Sequence, residues 1–148
     1  MKILILCTGN SCRSQMAEGW FRHLGEKENI EIEAFSAGLS PKGVNRLAVR
    51  AMSEVQIDIS GHTSDPIEKY VKEPFDFVIT VCDNAAANCP VFTGAGEKLH
   101  WPFDDPDGVE GTDEEVMSEF RRVRDEIGKK VQTWLKAGVA SSKSTRFC

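Results

Sequence analysis

The sequence predicts an α/β protein, a single domain built on a parallel sheet with helices on both faces. Three observations carry that reading. Aliphatic runs that read as buried strands alternate along the chain with stretches whose apolar residues recur at helical spacing. No internal repeat or long linker interrupts the alternation, and 148 residues with 41% hydrophobic content suffice for one continuous core. Strands alternating with helices imply right-handed crossovers between parallel strands, and ligands of such sheets bind beyond the carboxyl ends of the strands.

Each element has its own signature. Residues 2–6, Lys-Ile-Leu-Ile-Leu, are almost purely aliphatic, as in a strand covered on both sides. Gly9-Asn10 is a turn signal. From Ser14 onward Met16, Ala17, Trp20, Phe21 and Leu24 fall on one helical face, with Gly25 suited to its end. Glu31 to Ser36 alternates polar and apolar residues and reads as a second strand; Val44, Leu47, Ala48, Ala51, Met52 and Val55 form the next helical stripe. Phe75 to Cys82 is a third strand, followed by a short segment from Asp83 to Cys89 that Pro90 should stop. Glu97 to Trp101 is a short fourth strand. Thr112 and Glu115 stand at capping-box spacing before a helix that buries Val116, Phe120, Val123, Ile127, Val131, Trp134 and Leu135. The domain is therefore placed at residues 1–138, and residues 139–148, which have no periodicity, are read as a flexible tail.

Composition narrows the function classes. The net charge is -5 and no basic stripe is interleaved with aromatics, which argues against nucleic acid as a partner. No apolar run approaches the roughly 20 residues of a membrane span. A soluble, cytoplasmic monomer is expected. Its five cysteines, Cys7, Cys12, Cys82, Cys89 and Cys148, are then reactive or buried thiols rather than a disulfide framework.

The stretch Cys7-Thr8-Gly9-Asn10-Ser11-Cys12-Arg13-Ser14 joins the first strand to the first helix. Glycine and small polar residues there let backbone N–H groups turn inward, and the helix start adds its positive dipole end, so an anion fits. Arg13 adds a planar fork of donors matched to a tetrahedral oxyanion. These charges favour Cys7 as the attacking thiolate. A zinc site is a poor alternative, because C-x4-C and C-x6-C are not common ligand spacings and His23, His62 and His100 are isolated in sequence and read as ordinary polar residues. The acidic turn Asp104-Asp105-Pro106-Asp107 follows the fourth strand and can bring a carboxylic acid to the same site, although spacing does not choose among the three aspartates.

The run from Cys7 through Gly19 resembles the phosphate-binding loop and first helix of the low-molecular-weight protein tyrosine phosphatase family, and in detail its branch of thioredoxin-coupled arsenate reductases. The resemblance continues through Ile59 to Pro66, Val81 to Pro90 and Phe103 to Gly108, and so spans about residues 1 to 137. It implies a four-stranded parallel, Rossmann-like sheet. It also implies Cys7 as nucleophile, Asn10, Arg13 and Ser14 as shapers of an oxyanion loop from Thr8 to Ser14, and Asp105, the aspartate directly before proline, as general acid. The phosphatase branch follows that Asp-Pro with paired tyrosines, whereas this chain has Asp107-Gly108.

Hydrolysis of a phosphoester needs one sulfur; reducing arsenate takes two electrons, which a pair of thiols supplies on becoming a disulfide. Cys82 and Cys89 therefore separate the two reactions. The resemblance implies that Cys82 attacks Cys7, that Cys89 attacks Cys82, and that thioredoxin reduces the product. Glutaredoxin with glutathione, or mycothiol, serves related enzymes. Cys12 is expected only to pack, and Cys148 matches no redox position. Some members hold potassium through residues matching Asn10, Glu18, Thr63 and Asp65. Two other readings stand beside the reductase: a phosphatase for phosphotyrosine or small phosphoesters, and a non-catalytic oxyanion or redox sensor.

Overall fold

The computed structural model describes residues 1–90 and 94–138. Four parallel strands lie in the order β2-β1-β3-β4, with β1 at Lys2–Cys7, β2 at Glu33–Gly38, β3 at Pro74–Thr80 and β4 at Gly94–His100. Ile3, Leu4, Ile5 and Leu6 of β1 have no exposed surface at all, as their position between β2 and β3 and between two covered faces requires. Cys7 pairs with Gly38, so the nucleophile candidate sits at the carboxyl edge of a central strand.

The helices are α1 at Arg13–Lys27, α2 at Arg46–Ser53, α3 at Asp83–Ala87 and α4 at Asp113–Lys136. On one face Phe21 of α1 and Trp134 of α4 meet edge to face at 5.8 Å, and Phe77 of β3 meets Trp134 at 4.9 Å. The alternate residues Val78 and Thr80 point the other way, where they share a cavity with Ala86 of α3 and with Cys89. Helices thus flank both faces, but unequally. One face carries long, deeply packed helices; the opposite face carries five-residue α3 and, further down the sheet, a single 3-10 turn at Ile67–Lys69 whose neighbour Tyr70 packs on Phe35 and Phe75.

The local signals explain most boundaries. Thr112 and Glu115 form the reciprocal capping box at the start of α4, and the Asn45 side chain accepts from the N–H groups of Leu47 and Ala48 to start α2. Several boundaries differ from the sequence reading, among them the end of β3, at Thr80 rather than Cys82. Helix α1 runs two residues past Gly25, and the left-handed turn falls instead at Asn29, with φ of 55°. Gly25 serves close approach: a Cβ there would lie 2.9 Å from Ile32 and 3.1 Å from the Ile30 carbonyl. Ile32 is drawn into that contact, so β2 begins at Glu33 and extends to Gly38. Strand β4 begins earlier than expected, through Gly94-Ala95-Gly96, whose small residues carry no hydrophobic pattern to read. No helix among the described residues is long and apolar enough to cross a membrane. The segment 139–148, with Cys148, lies outside the described residues.

Candidate active site

The loop after β1 is an anion cradle because its carbonyls are all engaged on the outside. The N–H groups of Leu39, Ser40 and Lys42 donate to the carbonyls of Cys7, Thr8 and Gly9 at 3.2, 2.8 and 3.0 Å. Gln15 and Ser64 donate to the Asn10 carbonyl, Asn45 to that of Ser11, and Met16 to that of Cys12. With the oxygens turned out, the amides face the cavity, and α1 begins at Arg13 with its positive end towards it. Asn10 makes the turn with φ of 45°, and its fully buried side chain is the strut: the amide nitrogen donates to the Ser14 and Ser36 hydroxyls, and the oxygen accepts from the Asp65 N–H. Gly38 seals the arrangement from β2. A Cβ there would stand 2.7 Å from the Thr8 carbonyl and 2.8 Å from the Asn10 nitrogen, both backbone atoms that cannot move aside.

The cavity above holds about 350 Å3 and is lined by the loop together with Ser40, Lys42, Asp105 and Asp107. Against about 30 Å3 for a water molecule, it has room for a tetrahedral oxyanion and its hydration. Arg13 lies along one wall, donating through Nη1 to the Phe103 carbonyl at 3.1 Å and facing Asp105 through Nη2 at 3.4 Å. Its Nε is buried without a partner among the described residues. A buried donor left over in a cradle of amides is the mark of a site whose missing partner is an anion. Of the three aspartates, Asp105 is the one at Arg13; Asp104 pairs with Arg122 outside the cavity, and Asp107 pairs with Lys42.

Cys7 and Cys82 are brought within hydrogen-bonding reach of each other across the end of the sheet, although 75 residues separate them in sequence. Cys82 is the N-cap of α3, its sulfur accepting from the Ala85 N–H at 3.4 Å. Thr8 Oγ1 lies 3.3 Å from the same sulfur and already accepts from Asn84, so its own proton is free for Cys82. The Cys7 thiol, the Thr8 hydroxyl, the Ala85 amide and the Arg13 charge together bring Cys82 down to about 5 despite burial. The same contact with Cys82, together with burial, raises Cys7. The two sulfurs therefore share their ionisation, because Arg13 and the loop act on both and only one can ionise at low cost. Cys7 itself keeps the Arg13 guanidinium and the Thr8 N–H as stabilisers of its thiolate.

Cys12 is buried at the N-cap of α1, and burial, aided by the Asp107 carboxylate, pushes its thiol up to about 12, which leaves it inert. Cys89 is half-buried two residues beyond α3, in a second cavity of about 240 Å3 with Val78, Lys98 and His100, and burial raises its pKa. The histidines are less ordinary than their isolation in sequence implies. His100 spans from the Thr80 hydroxyl at 2.7 Å to the Asp83 carboxylate at 3.0 Å and so ties the start of α3 to the sheet. His62 contacts Gln15 at 3.0 Å and faces Glu18 at 3.6 Å; burial lowers its pKa against the pull of that carboxylate. Lys42 and Gly38 escaped the sequence reading, since nothing in their spacing marks them.

The four residues matched to a potassium site lie in one linked cluster: the Asn10 oxygen accepts from the Asp65 N–H, Thr63 donates to the Asp65 carboxylate, and the Ser36 hydroxyl accepts from Asn10 and donates to Glu18 at 2.6 Å, where Arg22 also stands at 2.9 Å.

Sheet edge, cradle and paired sulfurs define a thiol-dependent α/β enzyme for tetrahedral oxyanions. More particularly, the chain belongs to the low molecular weight phosphotyrosine protein phosphatase family, whose model matches residues 2–144. An arsenate reductase of Halalkalibacterium halodurans is 52% identical over 137 residues, covering 92% of this chain and 96% of the relative. Arsenate reductase 2 of Staphylococcus saprophyticus is 52% identical over 131 residues, 88% of this chain and 92% of its own length. Among solved structures, an arsenate reductase in the phosphate binding state superposes with a TM-score of 0.77 at 36% identity, covering 92% of this chain and 97% of that one.

Proposed function

We propose that this protein reduces arsenate to arsenite through a relay of three thiols, Cys7, Cys82 and Cys89. The observation that carries the reading is the second sulfur: Cys82, held by Thr8 Oγ1 and the Ala85 N–H, stands beside the nucleophile at the carboxyl end of the sheet. Arsenate reductases related to this chain along nearly its whole length support it, as does the solution of one such fold in oxidised and reduced states.

The steps balance as follows. Arsenate enters the cradle, held by the loop amides and Arg13, and the Cys7 sulfur bonds to arsenic as one oxygen departs as water. The Cys7 thiol proton is consumed in forming that water, with Asp105 passing it at the departing oxygen, so Cys82 remains anionic. Cys82 then attacks the Cys7 sulfur; the S–S bond forms, the S–As bond breaks, and its electron pair takes arsenic from the +5 to the +3 state. Two thiols are oxidised and one arsenic is reduced by two electrons. Cys89 next attacks Cys82 and frees Cys7, and a thioredoxin-type dithiol reduces the Cys82–Cys89 disulfide by exchange.

The last transfer needs motion. Seven residues of helix would separate the two Cα atoms by about 10 Å, whereas a disulfide needs no more than about 7 Å. Five-residue α3 is short enough to unwind. All catalytic groups come from one chain, so a monomer suffices, working in the cytoplasm where thiols stay reduced. A potassium ion held by Asn10, Glu18, Thr63 and Asp65 would brace the cradle and takes no step in the scheme.

The phosphatase reading uses the same Cys7, Arg13 and Asp105 but leaves Cys82 and Cys89 idle; the sensor reading leaves Asp105 idle. The test is a coupled assay of the reduced protein with arsenate, thioredoxin, thioredoxin reductase and NADPH. Arsenate should drive NADPH loss in the intact protein, and Cys82→Ser and Cys89→Ser should abolish sustained turnover. No consumption, or normal turnover by both variants, sinks the reductase reading.

A further inference from the structure

The cradle and the sulfurs leave one feature of the same cavity without a task. Lys42 and Asp107 stand on opposite sides of its mouth, one on the segment after β2 and the other on the acid turn after β4, and their side chains meet at 2.9 Å. Neither is a loose surface charge. The Lys42 N–H donates to the Gly9 carbonyl at 3.0 Å, and its aliphatic stem lies so flat on the loop that a Cβ at Gly9 would be 2.9 Å from Lys42 Cε and 3.2 Å from Cγ. The Asp107 N–H donates to the Asp105 carboxylate at 3.0 Å, which fixes the other end to the residue facing Arg13. The two side chains are 59% and 37% exposed.

We propose that Lys42 and Asp107 form an ion-pair strap across the mouth of the cradle, and that this strap sets the substrate class by admitting a free tetrahedral oxyanion and disfavouring one that carries an organic ester group. The inference rests on the cradle being an oxyanion site and goes beyond it. A free oxyanion lies wholly beneath the strap in the cavity of about 350 Å3. An ester must project its organic group outward through the gap the pair spans, and the pair must part to let it through. The strap is also neutral. Lys42 cancels the Asp107 carboxylate, which would otherwise confront an incoming dianion within a few ångströms of Asp105, and Asp107 in turn favours the charged form of Lys42.

Titration calorimetry on the fully reduced protein measures this without turnover, using inorganic phosphate and phenylphosphonate, which cannot be hydrolysed. The quantity read is the ratio of their dissociation constants. Intact protein should favour phosphate, and the double variant Lys42→Ala/Asp107→Ala should shrink that preference by up to about fivefold, the discrimination an exposed ion pair can supply. The charge-swapped Lys42→Asp/Asp107→Lys rebuilds the strap and should restore the ratio. Lys42→Ala alone should shrink the preference as well and weaken both anions besides, because it also leaves Asp107 uncompensated.

An unchanged ratio in the double alanine variant overturns the strap, as does a charge swap that loses as much as the double alanine. If neither anion binds the intact protein, the cradle reading falls and the strap with it. If both bind but arsenate drives no NADPH loss, the reductase reading alone fails, and the ratio still decides on Lys42 and Asp107.

Discussion

The cradle and the segment that carries Cys89 lie at the same end of the sheet, yet they are built to opposite standards. In the cradle every carbonyl from Cys7 to Cys12 is engaged, Asn10 is locked by five partners, and Gly38 leaves no room for a methyl group. Around Cys89 there is a five-residue helix, a cap made by a sulfur, and two exposed ties, from His100 to an aspartate and from Asn84 to Thr8. The difference separates two demands of one reaction. Bond making at arsenic needs donors fixed before the anion arrives, whereas carrying a disulfide outward needs a segment whose local unfolding is easy.

The largest effect expected from attacking this contrast comes from Gly38→Ala. Its Cβ would meet backbone atoms at 2.7 and 2.8 Å, so the cradle must deform. We expect a loss of about 1–3 kcal/mol by urea denaturation, typical of overpacking, together with loss of measurable phosphate binding. Stability unchanged and phosphate still bound would show that the cradle is not rigid.

A smaller effect concerns the shared charge. The thiolate absorbance of the reduced protein should show a step near pH 5 that is absent in Cys82→Ser. Cys7→Ala removes the largest stabiliser of that anion, and Thr8→Val a further one, so each should move the midpoint upward. As pH falls through this midpoint Cys82 gains its proton, and the rate of the second step should fall with it. A midpoint that stays put in Cys7→Ala would mean that the two sulfurs are not coupled.

The smallest change is expected from His100→Asn, which releases Asp83 and the start of α3. Because the tie is largely exposed, single-turnover transfer from Cys82 to Cys89 should accelerate by no more than about threefold. Slower transfer would mean that α3 must stay folded for the exchange.

The sequence is most informative where local rules and tertiary structure agree. The run from Ile3 to Leu6, the Gly9-Asn10 turn, the capping box of Thr112 and Glu115 and the C-x5-R spacing of Cys7 and Arg13 each have a local cause, and each appears in the fold. What stayed hidden depends on residues distant in the chain. Gly38 is necessary only because the cradle presses on it, and Lys42 finds Asp107 across 65 positions. The shared ionisation of Cys7 and Cys82 follows from a contact between two strand ends. Gly94-Ala95-Gly96 reads as loop because a strand without side chains carries no pattern, whereas Gly96 is required by the Asp76 carbonyl, 2.7 Å from where its Cβ would stand.

The unequal covering of the sheet bears on how such an enzyme could arise. The face under α1 and α4 holds the aromatic core, and alterations there threaten folding. The opposite face offers a short, lightly tethered helix beside the nucleophile, where two cysteines can be gained or lost with little disturbance to the framework. An ancestral hydrolase could therefore have acquired electron transfer by tinkering with its thin side alone, and a laboratory lineage selected for either chemistry should accumulate its substitutions there.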